Sequence, residues 1–219
     1  MVTCSLLASG DPTRFPEDDM HDLLVFMFRF AVFAALHSLF AMQRVQDFLK
    51  IRMGRAAGWY RLMYNILALA AFGWTMQAYR DSPVLYQLPG NLRSAGYLAQ
   101  GGICILLCIC AAQTGVGDFL GVRQLRRQTV TPVLITTGCY GKVRHPQYLL
   151  ALLFLLFAPT MTVRWLALTL LSALYFLAGS IIEERRLVEL FGEQYRRYQR
   201  SVPMFVPGAR GNGGLPRPR

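Results

Sequence analysis

Charged residues are scarce in this chain of 219 residues. Asp, Glu, Lys and Arg make up 16% of it, whereas hydrophobic residues make up 54%. Soluble domains carry about a quarter charged residues, so the composition indicates a membrane protein. The first 22 residues lack the basic start and apolar core of a secretory signal, and we expect residues 1–22 to form a short polar leader.

Patterns typical of metal sites and disulfide frameworks are missing as well. The chain has five cysteines, and three of them (Cys104, Cys108 and Cys110) lie within one apolar run. Cysteine in such a run behaves as a small hydrophobic residue. Because no His or second Cys pair stands at a zinc-like spacing, we predict neither a metal site nor a disulfide framework.

Acidic residues are fewer than basic ones, with 12 Asp and Glu against 23 Lys and Arg, and the formal net charge is +11. A basic chain invites a nucleic-acid interpretation, but here the cations are clustered in loops between apolar runs. That placement is typical of the cytoplasmic loops of membrane proteins. The sequence therefore argues against nucleic acid as a partner and predicts membrane lipids instead.

Five apolar runs predict an all-α integral membrane protein with about five transmembrane helices. The runs cover residues 23–42, 60–79, 95–113, 147–161 and 164–182. The first three form an N-terminal half over residues 23–113. The fourth is short for a full crossing, and Pro159, Thr160 and Thr162 predict a tight turn after it.

The distribution of Lys and Arg predicts the orientation. With the N-terminus outside, the inner segments contain 18 of the 23 Lys and Arg residues and the outer segments contain four. The inner segments are 43–61, 114–146 and 183–219, and the outer ones are 1–22, 80–94 and 162–164. This positive-inside bias predicts an N-out, C-in protein.

The C-terminal part of the sequence predicts an interfacial helix followed by a tail. Residues 183–200 are amphipathic, with Leu187, Phe191 and Tyr195 on one face and basic residues on the other. Such a helix is expected to lie along an anionic membrane surface. Residues 208–219 are rich in Gly, Pro and Arg, which predicts a disordered basic tail.

Two ionisable residues, Arg29 and His37, interrupt the first apolar run. An ionisable residue in a membrane helix is a functional candidate. The structural alternative is that Arg29 snorkels to the outer surface while His37 bonds a neighbouring helix. Both interpretations stay open from the sequence.

Residues that carry chemistry are concentrated in the stretch 134–148, LITTGCYGKVRHPQY, and in the pair Glu183 and Glu184. A hairpin of two membrane helices separates the two groups, so both are expected at the same membrane face. Arg144 offers a fork of donors for a carboxylate, and tyrosine faces can hold a cation such as a sulfonium. Taken singly, each motif is explained equally well as an interfacial anchor or a solvated helix turn.

The order and spacing of these motifs resemble the isoprenylcysteine carboxyl methyltransferase superfamily. The pattern G-x-Y-x-x-V-R-H-P-x-Y is followed by a helical hairpin, by E-E-x-x-L-x-x-x-F-G-x-x-Y-x-x-Y and by V-P-x-x-x-P, over residues 130–207. The segments DFLGVRQL, APTMTV and RRYQRSVPMFVP look like the bacterial methanethiol S-methyltransferase branch. HSLFA at 37–41 and YRLMYN at 60–65 look like that branch and like NnrU-type membrane proteins.

The resemblance implies that residues 114–207 bind S-adenosyl-L-methionine at the cytoplasmic face of a bacterial inner membrane. The cofactor-binding residues implied are Gly138, Tyr140, Arg144, His145, Pro146, Tyr148, Glu183 and Glu184. Arg144 and His145 are also the catalytic candidates, the first to stabilise a thiolate and the second to accept its proton. Leu150 stands where many relatives have Gly, and we expect it to narrow the pocket.

The resemblance implies methyl transfer to a small thiol such as methanethiol. One alternative is carboxyl methylation of an isoprenylcysteine-like or other lipophilic acceptor. Another is a non-enzymatic, NnrU-like membrane protein.

Overall fold

The computed structural model describes residues 17–79, 82–115, 117 and 133–208. Most of the polar segment 114–133 and the tail predicted from residue 208 lie outside the described residues, as do the first 16 residues of the predicted leader. The described part contains seven α-helices and two short strands. The helices are α1 (Glu17–Ala41), α2 (Gln43–Met53), α3 (Tyr60–Gln77), α4 (Gly90–Gln113), α5 (Pro146–Leu156), α6 (Val163–Phe191) and α7 (Glu193–Ser201), and the strands are β1 (Val84–Gln87) and β2 (Thr160–Thr162).

Three of these helices are long and apolar enough to cross a membrane. They are Asp19–Ala41 of α1, all of α4 and all of α6, judged by length and composition. Helix α5 is apolar but has only 11 residues. These features confirm a predominantly helical membrane protein.

Two polar segments are more ordered than the sequence predicted. Helix α1 begins at Glu17, inside the predicted leader. The basic loop after α1 is itself helical over α2, where Gln43 bonds Asp47 and Lys50 bonds Gln46. Such i,i+4 pairs support a helix that has little apolar surface to bury.

The shortness of helix α5 explains another feature that the sequence did not predict, which is a pair of antiparallel strands. Eleven helical residues span only about 16 Å, and the chain then continues in extended form through β2. Residue Thr162 of β2 pairs with Val84 of β1, and Thr160 pairs with Gln87. Backbone N–H and C=O groups that leave a helix need new hydrogen-bond partners, and the strand pair supplies them where the sequence predicted a tight turn.

The amphipathic helix predicted over residues 183–200 is in fact divided. Helix α6 continues through Glu183 to Phe191 and ends at Gly192, which has a φ of +56° and donates its N–H to the Val188 carbonyl. This left-handed conformation is accessible to glycine at little cost. Helix α7 therefore starts at Glu193, and the prediction that the amphipathic helix begins at residue 183 is wrong.

The helices pack around two polar anchors. Arg164, whose side chain is 1% exposed, binds Asp22 at 3.3 Å and so joins the start of α6 to the start of α1. Arg29 donates to the Trp74 carbonyl at 3.0 Å and lies over the Trp74 ring. Between these anchors, apolar side chains from α1, from α6 and from the end of α3 form a core. Its buried residues are Phe26, Phe30, Ala78 and Leu168.

A disulfide bond joins Cys110 of α4 to Cys139, so the prediction that the cysteines form no bridge is wrong. The two residues are 29 positions apart, and the apolar run around Cys110 hid the pairing. The bond holds the loop of residues 136–142 against α4. Gln113 reinforces this contact by accepting a hydrogen bond from the Cys139 N–H.

We expect Cys139→Ser, in protein purified without reductant, to lower the free energy of unfolding by about 3 kcal/mol. A bridge that closes a loop of this length removes about that much chain entropy from the unfolded state. Cys104→Ser is the matched control, because Cys104 is free and exposed. Thermal unfolding in detergent measures the difference, and equal stability of the two variants would contradict the bridge.

Candidate active site

A cavity of about 270 Å³ lies at the end of the α5–α6 hairpin where α5 begins. The loop of residues 133–148 forms one wall, and the last turns of α6 together with α7 form the other. Its lining is Thr114, Val133, Leu134, Ile135, Tyr140, Arg144, His145, Pro146, Gln147, Tyr148, Glu183, Leu187, Phe191, Tyr195 and Tyr198. The hairpin thus brings together the two groups of residues that the sequence separates.

Gly138 determines how the loop enters this cavity. Its φ is +62°, and a Cβ at this position would lie within 2.3 Å of the Gln113 side chain. Only glycine suits both the left-handed backbone and the close approach to α4. The 3₁₀ turn that follows, Gly138–Gly141, directs Tyr140 into the cavity.

The ion pair between Arg144 and Glu184 lies at the cavity wall, where Arg144 is part of the lining and Glu184 is not. The two side chains are 7% and 13% exposed, and the Arg144 Nε donates to Glu184 Oε1. Arg144 Nη1 donates to the carbonyl oxygens of Gln199 and Val202. Arg144 therefore connects the loop, α6 and the end of α7.

The backbone completes this connection. The Arg144 N–H donates to the Pro203 carbonyl at 2.9 Å, and the His145 N–H donates to the Met204 carbonyl at 3.3 Å. The Tyr198 hydroxyl donates to the Tyr140 carbonyl. The segment after α7 thus runs along the Arg-His-Pro motif and holds it in place.

His145 is buried between two carboxylates. Its Nε2 lies 3.3 Å from Glu184 Oε1, and its Nδ1 lies 3.7 Å from Glu183 Oε2. Its ring stacks on Tyr148 with the centroids 5.5 Å apart. Each ring nitrogen therefore faces a carboxylate oxygen, and the two glutamates together fix the orientation of the ring.

Glu183 and Tyr148 form the polar part of the wall. The Tyr148 hydroxyl donates to Glu183 Oε2 at 3.0 Å, while the Glu183 side chain is 46% exposed and lines the cavity. Because this carboxylate is accessible, it can accept hydrogen bonds from hydroxyl groups of a ligand or balance a positive charge.

Three neutral tyrosines enclose the remaining space. Burial, and after it the Glu183 carboxylate, raises the pKa of Tyr140 to about 12. Burial also raises the pKa of Tyr195 and of Tyr198. These phenols remain uncharged at neutral pH, and their aromatic faces can attract a cation.

Six of the eight residues predicted for cofactor binding line the cavity, namely Tyr140, Arg144, His145, Pro146, Tyr148 and Glu183. Gly138 instead packs against Gln113, and Glu184 binds Arg144, His145 and Gln199 behind the wall. Leu150, which we expected to narrow the pocket, is not part of the lining.

Sequence reasoning did not assign Tyr195, Tyr198, Leu187 or Phe191 to the site. The signal was present in the family pattern, where the tyrosines stand three positions apart and share a helix face. The same spacing also suits a helix that packs against a membrane surface. The spacing alone therefore could not distinguish residues that line a site from residues that contact the membrane.

Comparisons with known proteins identify relatives but no known fold. No family model matches the chain, and no solved structure matches it. The chain is 45% identical over 84 residues to the protein named methanethiol S-methyltransferase in Pseudomonas deceptionensis, which covers 38% of this chain and 30% of the relative. The chain matches about a third of the length of this and three other proteins of that name.

A match that covers most of the chain shows to which family the protein belongs. Methanethiol S-methyltransferase 2 of Bradyrhizobium diazoefficiens is 30% identical over 216 residues, covering 90% of this chain and 76% of the relative. Protein-S-isoprenylcysteine O-methyltransferase of Tribolium castaneum is 30% identical over 130 residues, or 56% of this chain and 46% of the relative. The chain therefore belongs to the isoprenylcysteine carboxyl methyltransferase superfamily, which includes the methanethiol S-methyltransferases.

Proposed function

We propose that this protein transfers a methyl group from S-adenosyl-L-methionine to a small thiol such as methanethiol, forming dimethyl sulfide. The observation that supports it most is the cavity between the Arg-His-Pro loop and Glu183. Its accessible carboxylate and neutral aromatic walls suit a sulfonium ligand that carries hydroxyl groups. The match to methanethiol S-methyltransferase 2 over 90% of the chain supports the choice of a thiol acceptor.

The lining residues fit this methyl donor. Glu183 would accept hydrogen bonds from the ribose hydroxyls, and Tyr140, Tyr195 and Tyr198 would face the positive sulfur. The cavity of about 270 Å³ is near the lower end of ligand pockets, which measure about 300–1,000 Å³. When bound, the donor supplies an electrophilic methyl group, and no metal is needed for its transfer.

The protein contributes mainly alignment. Holding the acceptor and the methyl group in line can remove about 7–11 kcal/mol of the barrier. Arg144 contributes to this alignment by holding the loop in place, since its Nε and Nη1 are already bonded to Glu184 and to two carbonyl oxygens. The roles of Arg144 and His145 as catalytic residues stay predictions.

We further propose five membrane crossings in the N-out, C-in orientation, in a bacterial inner membrane. The 20 residues from Val163 to Ile182 span about 30 Å, the thickness of the hydrocarbon core. Glu183 would then stand at the membrane boundary, and the 18 Lys and Arg of the inner segments support a cytoplasmic site. The bond between Cys110 and Cys139 favours the opposite face, because disulfides persist in oxidising compartments.

A second candidate function is carboxyl methylation of a lipophilic acceptor. The match to the Tribolium castaneum protein-S-isoprenylcysteine O-methyltransferase favours it. A carboxylate acceptor needs no base, and a prenyl chain could reach the site sideways from the bilayer. The two functions therefore differ in the acceptor alone.

Reporter fusions test the orientation. We expect a green fluorescent protein fused after Arg219 to fluoresce in bacterial cells, because the C-terminus is proposed to be cytoplasmic. Alkaline phosphatase fused after Gln87 should be active, since this position is proposed to be outside. The reverse pattern would place the site outside and agree with a stable disulfide.

Substitutions of the two glutamates should separate binding from stability. We expect Glu183→Gln to weaken donor binding about tenfold or more without changing the unfolding temperature, since this carboxylate is exposed in the cavity. Glu184→Gln should lower the free energy of unfolding by about 3 kcal/mol, because it leaves Arg144 buried without a counter-charge.

Titration calorimetry with S-adenosyl-L-methionine and thermal unfolding measure the two effects. Glu189→Gln is the matched control, since Glu189 is exposed on the same helix. Wild-type donor affinity in Glu183→Gln would remove this residue from the site.

Label transfer distinguishes the acceptors. Purified protein with methyl-labelled S-adenosyl-L-methionine should convert methanethiol into volatile labelled dimethyl sulfide and leave a farnesylated cysteine unlabelled. Label in the farnesylated cysteine alone would favour the carboxyl reaction. Absence of donor binding as well as of transfer would favour a non-enzymatic protein.

A further inference from the structure

A second polar cluster lies on the membrane side of the cavity, and neither the fold nor the proposed donor site accounts for it. It consists of His37 and Ser38 of α1, Tyr64 of α3 and Tyr175 of α6. The Tyr64 hydroxyl lies 2.9 Å from His37 Nε2, and the Ser38 hydroxyl lies 3.1 Å from the Tyr175 hydroxyl. The sequence singled out His37 and Tyr64 within HSLFA and YRLMYN, without giving those motifs a role.

The helices place this membrane-side cluster near the same membrane face as the cavity. His37 stands one turn before the end of α1, and Tyr64 stands one turn after the start of α3. Tyr175 precedes Glu183 by eight residues in α6, a distance of about 12 Å along the axis. The cluster is therefore a layer just below the polar wall of the cavity.

Aromatic contacts connect the two layers. Tyr148, part of the cavity wall, stacks on Phe176 with the centroids 5.3 Å apart and the rings nearly parallel. Tyr175, the preceding residue of α6, faces the His37 ring edge-to-face at 6.2 Å. Phe176 and Tyr175, which are adjacent in α6, therefore link Tyr148 of the cavity wall to His37.

A thiol acceptor needs a base, because the thiolate is the nucleophile. His145 is poorly placed, since its Nε2 lies 3.3 Å from Glu184 Oε1 and its Nδ1 lies 3.7 Å from Glu183 Oε2, which leaves neither nitrogen free to face an acceptor. The groups that face His37 are the Tyr64 hydroxyl, 2.9 Å from Nε2 and 3.2 Å from Nδ1, Arg61 from α3 and the ring of Tyr175 from α6. None of these is an anion, and the Tyr64 hydroxyl can bond only one ring nitrogen at a time. When it accepts the N–H of that nitrogen, the other nitrogen is left to accept a proton.

We propose that a small thiol binds on the membrane side of Tyr148 and that His37, held by Tyr64, accepts its proton. The inference rests on the proposed thiol methyltransferase function. The S–H bond breaks and an N–H bond forms on His37. The thiolate then forms a bond to the methyl carbon while the carbon–sulfur bond of the sulfonium breaks, leaving a neutral thioether on each side. The proton leaves His37 for water at the inner face.

Two thiols of different acidity test this role. An alkyl thiol such as ethanethiol is mostly protonated at pH 8 and needs the base, whereas an aromatic thiol such as thiophenol is already a thiolate. We expect His37→Gln to lower kcat for the alkyl thiol by about 100-fold, the usual contribution of a general base. The same variant should use the aromatic thiol almost as well as the wild type does.

Tyr64→Phe keeps the ring but removes the hydroxyl, and it should show a smaller loss that is again confined to the alkyl thiol. Titration calorimetry with S-adenosyl-L-methionine should give the wild-type Kd for both variants, which shows that they are folded. Ile66→Ala is the matched control, since Ile66 is exposed on α3, and it should leave both rates unchanged.

Equal losses with both thiols, or no loss with either, would overturn the role of His37 while the proposed function stands. Wild-type protein that binds the donor but methylates neither thiol would overturn the proposed function and this inference with it.

Discussion

The buried ion pair between Arg144 and Glu184 is the interaction on which the site depends. Removing one partner of such a pair costs about 3–5 kcal/mol, because it leaves a charge without compensation. Here the same guanidinium also binds the carbonyl oxygens of Gln199 and Val202. A single side chain therefore holds together the loop, the last turns of α6 and the end of α7, and these three elements form the walls of the cavity.

The neighbouring glutamates consequently differ in function although they are adjacent in the sequence. Glu184 faces inward and is saturated by Arg144, His145 and Gln199. Glu183 points into the cavity and keeps one oxygen bonded to the Tyr148 hydroxyl. Since α6 turns by about 100° per residue, one carboxylate faces the protein and the other faces the cavity. Two adjacent acidic residues within one helix can thus differ in their surroundings, one buried in an ion pair and the other accessible.

Much of the site was predictable because its signals are local. The Arg-His-Pro motif, the following apolar hairpin and the paired glutamates fix which residues meet, since a hairpin of two membrane helices returns to the face where it started. The strand pair was not predictable in this way, because β1 and β2 are only four and three residues long and depend on each other across the chain. The bond between Cys110 and Cys139 was missed for a similar reason, as it requires α4 to pack beside the loop.

The division of α6 and α7 shows where pattern reasoning reaches its limit. The change from apolar to charged residues at Glu183 marks a change in the polarity of the helix surface. It does not mark the end of the helix, since backbone hydrogen bonds continue until Gly192. One continuous helix therefore carries Tyr175 and Phe176 within its apolar part and Glu183 where its charged residues begin. Under the proposed function, a donor that is soluble in water and an acceptor that is soluble in lipid would meet most easily where such a helix crosses the membrane boundary. The polar wall and the membrane-side cluster share α6 as a common support, so its rigidity would set the separation between the two substrates.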